Sequence, residues 1–466
     1  MTQCTPQALR AKAPGRREYD ASFNGGDITS GAGGLLLGLT EERCQILKRF
    51  ADCFTDHRDP TRIEHSVQDI VAQRVFAIAL GYEDVNDHER LRLDPLFASL
   101  VGKSDPKGHL RKSASDRGRG LAGPSTLHRL ELSHPGLAAD DRYCKIGLDK
   151  EAVDHLFVDI MMEAHATPPE EIILDLDATD DRIHGQQAGR FFHGYYDSYC
   201  FLPLYIFCGD HLLCARLRSS DKDGAAGSVD ELKRIVSRIR SQWPKVRIVI
   251  RADSGFCREW LMKWCEGESI NYVLGLAKND RLKREIQKEM AEAEKLQGLT
   301  GKPARVFRDL VYRTKKSWSR ERRVVAKAEH LENRANPRFV VTSLKRESVD
   351  ARELYEDIYC ARGEMENRIK EQQLDLFADR TSCHVFRGNE VRLYLSSIAY
   401  VLLNELRRIG LAGTEMARAQ CGTIRVKLLK IGARVRVTAR KIWVSMSESY
   451  PYQDLFFDVW RRLQPT

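Results

Sequence analysis

Three acidic residues lie where an α/β protein would keep its chemistry. Leu174-Asp175-Leu176-Asp177-Ala178-Thr179-Asp180-Asp181 reads as a strand end, with Asp175 and Asp177 on one face and Leu174 and Leu176 on the other. An acid in a hydrophobic strand is costly to bury unless a cation offsets its charge. Strand C-terminal ends are also where α/β sheets place functional groups. The competing reading is that these acids cap the following turn. Asp175 shares the face of Asp177, so either could be the ligand; Asp177 is preferred because it precedes the Ala-Thr turn and lies nearer the strand end.

A second strand, Ile248-Val249-Ile250, leads through Arg251 and Ala252 into Asp253-Ser254-Gly255-Phe256. Asp253 could serve only as the cap of a helix starting near Cys257, but two strand-end acids weaken that explanation. The third acid sits in Tyr359-Cys360-Ala361-Arg362-Gly363-Glu364-Met365-Glu366. On a helix, Tyr359, Arg362, Glu366 and Lys370 recur at intervals of three, four and four and share a face. Ile358, Ala361, Met365 and Ile369 form the neighbouring apolar stripe that would anchor this helix to a sheet. Three convergent carboxylates suit two Mg²⁺ ions, with Mn²⁺ as a substitute, because these are hard cations that prefer oxygen. Two such ions about 4 Å apart activate water or a 3′-hydroxyl and stabilise the leaving oxygen, which is phosphodiester chemistry.

The elements needed to hold these acids can be read around them. Up to about residue 167 the pattern is mostly helical, with apolar spacing of three and four over Glu41–Phe54 and Ile63–Leu80. Ser104–Gly123 reads as an exposed basic loop. Strands follow at Ile172–Asp177, Phe201–Phe207, Leu212–Leu217, Arg247–Asp253 and Asn271–Ala277, with helices over Ser228–Trp243 and Cys257–Glu266. That order is a mixed α/β sheet. Asp280–Leu296 is a charged helix, and Pro303–Leu344 alternates as a β-rich stretch. Leu354–Leu374 and Glu390–Arg408 return to helix. The tail reads as strands at Thr423–Leu429 and Arg434–Val437, then a helix near Asp454–Leu463.

Composition sets the outer limits. The 466 residues are 42% hydrophobic and 30% charged, as in a globular protein of two to four domains. No apolar run reaches the roughly 18 residues that a membrane helix needs, and the first 17 residues carry no secretory pattern, so a cytoplasmic protein with no membrane partner is expected. The twelve cysteines include no pair spaced by two residues, which argues against a zinc ribbon or redox motif. A net charge of +9 is concentrated in Arg305–Lys327 and Arg425–Lys441, and such clusters attract polyanions. A glycosidase using paired carboxylates would leave these basic clusters unexplained.

Taken together, the acids resemble the insertion-sequence DDE transposases, within the branch that carries a Tyr-x-x-Arg-x-x-x-Glu-x₆-Lys signature. Tyr359, Arg362 and Glu366 match the signature, Asp177-Ala-Thr resembles the first-acid motif, and Asp253-Ser-Gly-Phe256 resembles the second. The residue seven after Glu366 is Gln373 rather than Lys, so Lys370 stands as a substitute for that DNA contact. Gly81–His88, the His184-Gly185-Gln186 turn and Leu276–Asn279 are similar to the same branch. The resemblance implies an α/β, RNase H-like (retroviral-integrase-type) core over residues 166–297 and 346–410. It implies a β-rich insertion over 298–345, a helical DNA-binding region over 1–165 and a small α+β region over 411–466.

It further implies metal-dependent cleavage and strand transfer at terminal inverted repeats and target DNA, through a DNA hairpin, by a homodimer in the synaptic complex. Nucleoid association would follow when DNA is bound. Asp177, Asp253 and Glu366 would be catalytic and metal-binding; Tyr359, Arg362, Lys370, Trp318, Arg320 and Arg322 would contact DNA, with Trp318 stacking on a flipped base. Arg111, Lys112, Arg117 and Arg119 are expected phosphate contacts in the N-terminal region. The alternatives are an RNase H-like nuclease or resolvase without strand transfer, and an inactive transposase-derived DNA-binding protein.

Overall fold

The computed structural model describes residues 9–12, 17–136, 143–332 and 334–464. The chain forms two compact units. One comprises Met1–Asp149, Leu374–Phe377 and Tyr394–Thr466; the other comprises Lys150–Gln373 and Ala378–Leu393 and carries all three candidate catalytic acids.

The second unit begins with α1 (Lys150–Glu163), β1 (Glu171–Ala178), β2 (Leu204–Cys208) and β3 (His211–Arg216). It continues through α2 (Ser228–Gln242), β4 (Arg247–Ala252), α3 (Glu259–Gly267) and β5 (Asn271–Leu276). Next come α4 (Gln287–Thr300), β6 (Ala304–Tyr312), β7 (Arg322–Leu331), β8 (Arg338–Thr342) and α5 (Gly363–Lys370). The strands lie in the order β3-β2-β1-β4-β5-β8-β7-β6, and the short strand Arg334–Ala335 on β7 completes a nine-stranded sheet. β1, β4 and β5 are parallel neighbours, and every other pair on this path is antiparallel. Antiparallel neighbours need only a tight turn, whereas parallel ones need a crossover; α2 and α3 supply the helical crossovers that lead into β4 and β5.

Alternation along β1 and β4 divides the core in two. Leu174, Leu176, Ile248 and Ile250 pack with Val158 and Met161 of α1, Leu232, Ile235 and Ile239 of α2, and Leu261 and Met262 of α3. Ile173, Val249 and Val273 face the opposite side, where Leu354, Tyr355, Ile358 and Tyr359 cover them. The acids of β1 therefore lie under the segment that carries the third acid. The stretch Pro303–Leu344 extends the same sheet, because Val273 and Leu276 of β5 pair with Thr342 and Phe339 of β8.

In the first unit, Val67–Ala79 is fixed by a capping box in which Ser66 and Asp69 bond each other's backbone N–H groups. Asp27–Thr29 pairs with Ala433–Val437, which pairs with Ile442–Met446, so early and late segments share one sheet. The expected strand at Thr423–Leu429 is instead helical, over Cys421–Ile424 and Arg425–Leu429. Ile424, Leu428 and Leu429 are buried there, and spacings of four and five put them on one helical face. The basic 111–119 segment is drawn onto its own unit. Arg111 pairs with Glu64 at 3.2 Å, and Lys112 Nζ donates to the Thr61 carbonyl at 2.8 Å. Arg117 Nε donates to the Arg111 carbonyl at 3.3 Å, and Arg119 lies 3.7 Å from Glu89.

The eleven described cysteines are all free thiols. Among the described residues, no helix is long and apolar enough to cross a membrane.

Candidate active site

The site begins with the register of two parallel strands. Arg251 of β4 is level with Asp175 of β1, and Ala252 with Leu176. Asp253 and Asp177 are the next residues along these two strands, and the two acids are charged neighbours. Asp253 also caps the short turn Ser254–Phe256, its Oδ1 accepting the Gly255 N–H at 2.8 Å. The helix expected near Cys257 starts at Glu259, so capping by Asp253 serves this turn and not that helix.

The two acids of β1 have separate fates. Asp175 is 3% exposed, and its carboxylate receives a two-pronged bond from Arg251, at 2.5 Å to Oδ1 and 2.7 Å to Oδ2. Burial raises the Asp175 pKa and Arg251 opposes the rise. Arg251 Nη1 also donates to the Ile358 carbonyl, clamping β4 to the segment that carries Tyr359 and Glu366. Asp177 has Arg362, Asp253 and Glu366 as its charged neighbours. Burial pushes its carboxyl up to about 6, with the negative charges of Asp253 and Glu366 adding and Arg362 opposing.

Arg362 joins the acids. Its Nη2 bonds Glu366 Oε1, one turn further along, while its Nη1 lies 3.7 Å from Asp177 Oδ1. That Nη1 is buried without a hydrogen-bond acceptor, so its link to Asp177 is electrostatic only. The segment is irregular: Leu354–Tyr359 is π-helical, Cys360–Arg362 is 3₁₀, Gly363–Lys370 is α-helical, and a π turn begins at Glu371. Such local departures from α geometry are frequent at functional sites. Met365 and Ile369, each 2% exposed, anchor α5 as the apolar stripe requires.

Tyr359 reaches β5 only because position 275 is glycine. A Cβ there would meet the Tyr359 hydroxyl at 2.6 Å and the Ser254 nitrogen at 2.8 Å. Gly275 thus lets the tyrosine lie against the turn that holds Asp253.

Over residues 12–466 the chain matches the family described as Transposase DDE domain group 1. The chain belongs to this family. No curated protein matches it.

In this transposase-family protein, Lys370 is exposed at the end of α5. Gln373 turns inward and donates to the Asp180 carbonyl at 3.2 Å and to Asp181 Oδ1 at 2.9 Å. The other three residues expected to contact DNA, Trp318, Arg320 and Arg322, gather elsewhere, around Glu259 and Glu266. Trp318 is 4% exposed, edge-on to Tyr312 at 5.8 Å, with the Arg322 guanidinium 5.4 Å from its ring centre. Arg322 is itself buried and bonds Glu259 at 2.7 Å and Glu266 at 2.8 Å. Arg320 pairs with Glu266 and keeps 57% of its side chain exposed.

Whether the site suits a divalent metal is a question of donors and charge. Asp177, Asp253 and Glu366 offer only hard oxygens, and a carboxyl held up chiefly by burial, with two further acids as charged neighbours, is one that a bound cation would stabilise in its ionised form. Among the described residues no three His, Cys, Asp or Glu side chains are already gathered as a cage; Glu366 is engaged by Arg362 instead. The donor set fits, with Arg362 as the cationic partner.

Sequence reading missed Arg251 and Gly275. The signal for Arg251 was available, since alternation puts it two residues before Asp253 on the acidic face. Gly275 offered no such signal, because the tyrosine it accommodates is far along the chain.

Proposed function

We propose that this chain is a DNA transposase in which Asp177, Asp253 and Glu366 form the catalytic, Mg²⁺-binding set. The observation that carries this reading is that Asp177 and Asp253 follow the level pair Leu176–Ala252 at the ends of two parallel strands, while Arg362 links Glu366 to Asp177. The sheet order supports an RNase H-like core: β3, β2 and β1 are antiparallel neighbours, and β4 and β5 follow in parallel. In this reading β6–β8 are the insertion between the second and third acids.

Two divalent ions, when bound, would supply charge that stabilises an attacking 3′-hydroxyl or water and the leaving oxygen. The chain's own groups do the rest. Asp177 is the first acid, because Asp175 is already committed to Arg251. Arg362 turns from Glu366 to a backbone phosphate as DNA enters, exchanging one anion for another. Tyr359, against Gly275, keeps the Asp253 turn in position. Lys370 gives a further phosphate contact from the exposed end of α5, and Arg320 another from its exposed guanidinium.

The substrates are the element's terminal inverted repeats and a target duplex, joined within a synaptic homodimer. The first unit is assigned to repeat recognition. A hairpin route using Trp318 requires its ring to leave the Tyr312–Arg322 packing, since it is 4% exposed.

The test is cleavage of uncut ends and strand transfer from precut ends in Mg²⁺, with Asp253→Asn as the control. Joined products from the wild type and none from the variant support the transposase. Cleavage without joining supports a nuclease or resolvase, and end binding without either reaction supports an inactive DNA-binding protein.

A further inference from the structure

Between Asp177 and β2 the chain builds a small sheet that the mechanism above does not use. Asp181–Arg182 and Phe191–His193 both pair with Ser198–Phe201. Phe192 lies directly opposite Tyr199, with ring centres 5.5 Å apart. Phe192 is 54% exposed, Tyr199 47% and Tyr195 85%. Exposed aromatics grouped this closely mark an interaction site more often than a bare surface. Trp318, the aromatic expected to stack on a base, is by contrast buried.

The group is connected to the catalytic strand. Tyr195 stands edge-on to Tyr196 at 5.0 Å, and the Tyr196 hydroxyl donates to the Ala178 carbonyl, one residue beyond Asp177, at 3.2 Å. Burial raises the Tyr196 pKa, and Asp177 adds to that rise. On the other flank the Arg190 guanidinium lies 4.7 Å from the centre of Tyr199. It is held there by the Gly185 carbonyl and Gln186 Oε1, so the His184-Gly185-Gln186 turn fixes an arginine over an exposed ring. Rings with free faces, a guanidinium stacked on one of them and an adjacent carboxylate centre match the way single-stranded DNA is bound. Bases stack on aromatics, and a cation tracks the backbone. A protein partner would not account for the direct link to the Asp177 strand.

We propose that Phe192, Tyr195 and Tyr199, with Arg190, form a stacking platform for unpaired DNA bases beside the end of the strand that carries Asp177. The proposal rests on the transposase reading above for the kind of polymer bound. Its test needs no metal and no cleavage, so the two stand or fall separately.

The probe is an oligodeoxythymidine carrying one 2-aminopurine, titrated with the full chain without divalent metal; its fluorescence falls when the base stacks. Tyr195→Ala, Phe192→Ala and Tyr199→Ala should each weaken binding about tenfold and restore fluorescence, while affinity for a blunt duplex of equal length stays the same. Tyr195→Phe, which keeps the ring, should bind as the wild type does. Thermal melting identifies any variant that fails to fold, and Tyr195, the most exposed of the three rings, is the safest to truncate. Unchanged single-strand affinity in all three alanine variants would overturn the proposal. So would an equal loss on the duplex, or a change of oligomeric state with oligonucleotide binding intact.

Discussion

Arg362 stands between two of the acids it would be expected to serve, with its Nη1 3.7 Å from Asp177 and its Nη2 bonded to Glu366. In the free protein the guanidinium therefore supplies positive charge to a carboxylate cluster that the active enzyme would share with metal.

Removing that charge should make the cluster a better cation site. Arg362→Ala is expected to bind Mn²⁺ about tenfold more tightly in the absence of DNA, equivalent to about 1.4 kcal/mol. It should nevertheless cleave DNA poorly, having lost a phosphate contact. Calorimetric titration with Mn²⁺ checks the first point, and weaker or equal affinity would show that Arg362 does not hold the acids apart from metal.

The two acids of β1 should separate by phenotype. Asp175→Asn leaves Arg251 buried with a neutral partner, and breaking a buried pair costs about 3–5 kcal/mol. Asp177→Asn should fold normally and lose cleavage. Thermal melting paired with a cleavage assay reads both, and the opposite pattern would exchange their roles.

Gly275→Ala should cost about 1–3 kcal/mol, as overpacking does, and should slow cleavage by moving Tyr359 or the Asp253 turn. Combining it with Tyr359→Phe removes the atom 2.6 Å from the new Cβ but leaves the Ser254 nitrogen at 2.8 Å. Denaturant melts of the double-mutant cycle should therefore give partial recovery of stability. Strict additivity would mean the two positions do not touch.

Gln373 makes a separate pH-dependent prediction. Asp181 is fully buried and bonds the Gln373 amide; burial pushes its carboxyl up to about 8, with Gln373 opposing and Asp379 and Asp180 adding. The folded state thus holds a proton that the unfolded chain has released above its ordinary value of 3.8. Its contribution is full below that value and is lost as pH rises towards about 8, with a slope of up to about 1.4 kcal/mol per pH unit. Asp181→Asn should flatten this slope in denaturant melts between the two values. Gln373→Lys should flatten it too, by pairing with the carboxylate. A slope identical to wild type in both variants would contradict the assignment.

Much of this site was legible because its signals are local. Alternation in Leu174–Asp177 assigned the acids to one face, and the three-four-four spacing from Tyr359 to Lys370 gave a shared helical side. What was hidden depends on contacts between distant segments. Strands were readable over Pro303–Leu344, but nothing local says that Arg338–Thr342 pairs with Asn271–Leu276. Trp318 and Arg322 looked available for DNA until Glu259 and Glu266, 63 and 56 residues before Arg322, took the arginine. Thr423–Leu429 misled because Ile424, Val426 and Leu428 alternate like a strand, yet burial follows a helical face. The aromatics Phe192, Tyr195 and Tyr199 stand plainly in the sequence, but their link to Asp177 depends on a hydrogen bond from Tyr196 to Ala178.

The most direct measurement is Mg²⁺-dependent cleavage and strand transfer on DNA carrying the repeats that flank the gene, comparing wild type with Glu366→Ala. The account predicts cleaved and joined products from the wild type, and none from the variant although it still binds the ends. Full cleavage by Glu366→Ala would remove that residue from the catalytic set and contradict the account.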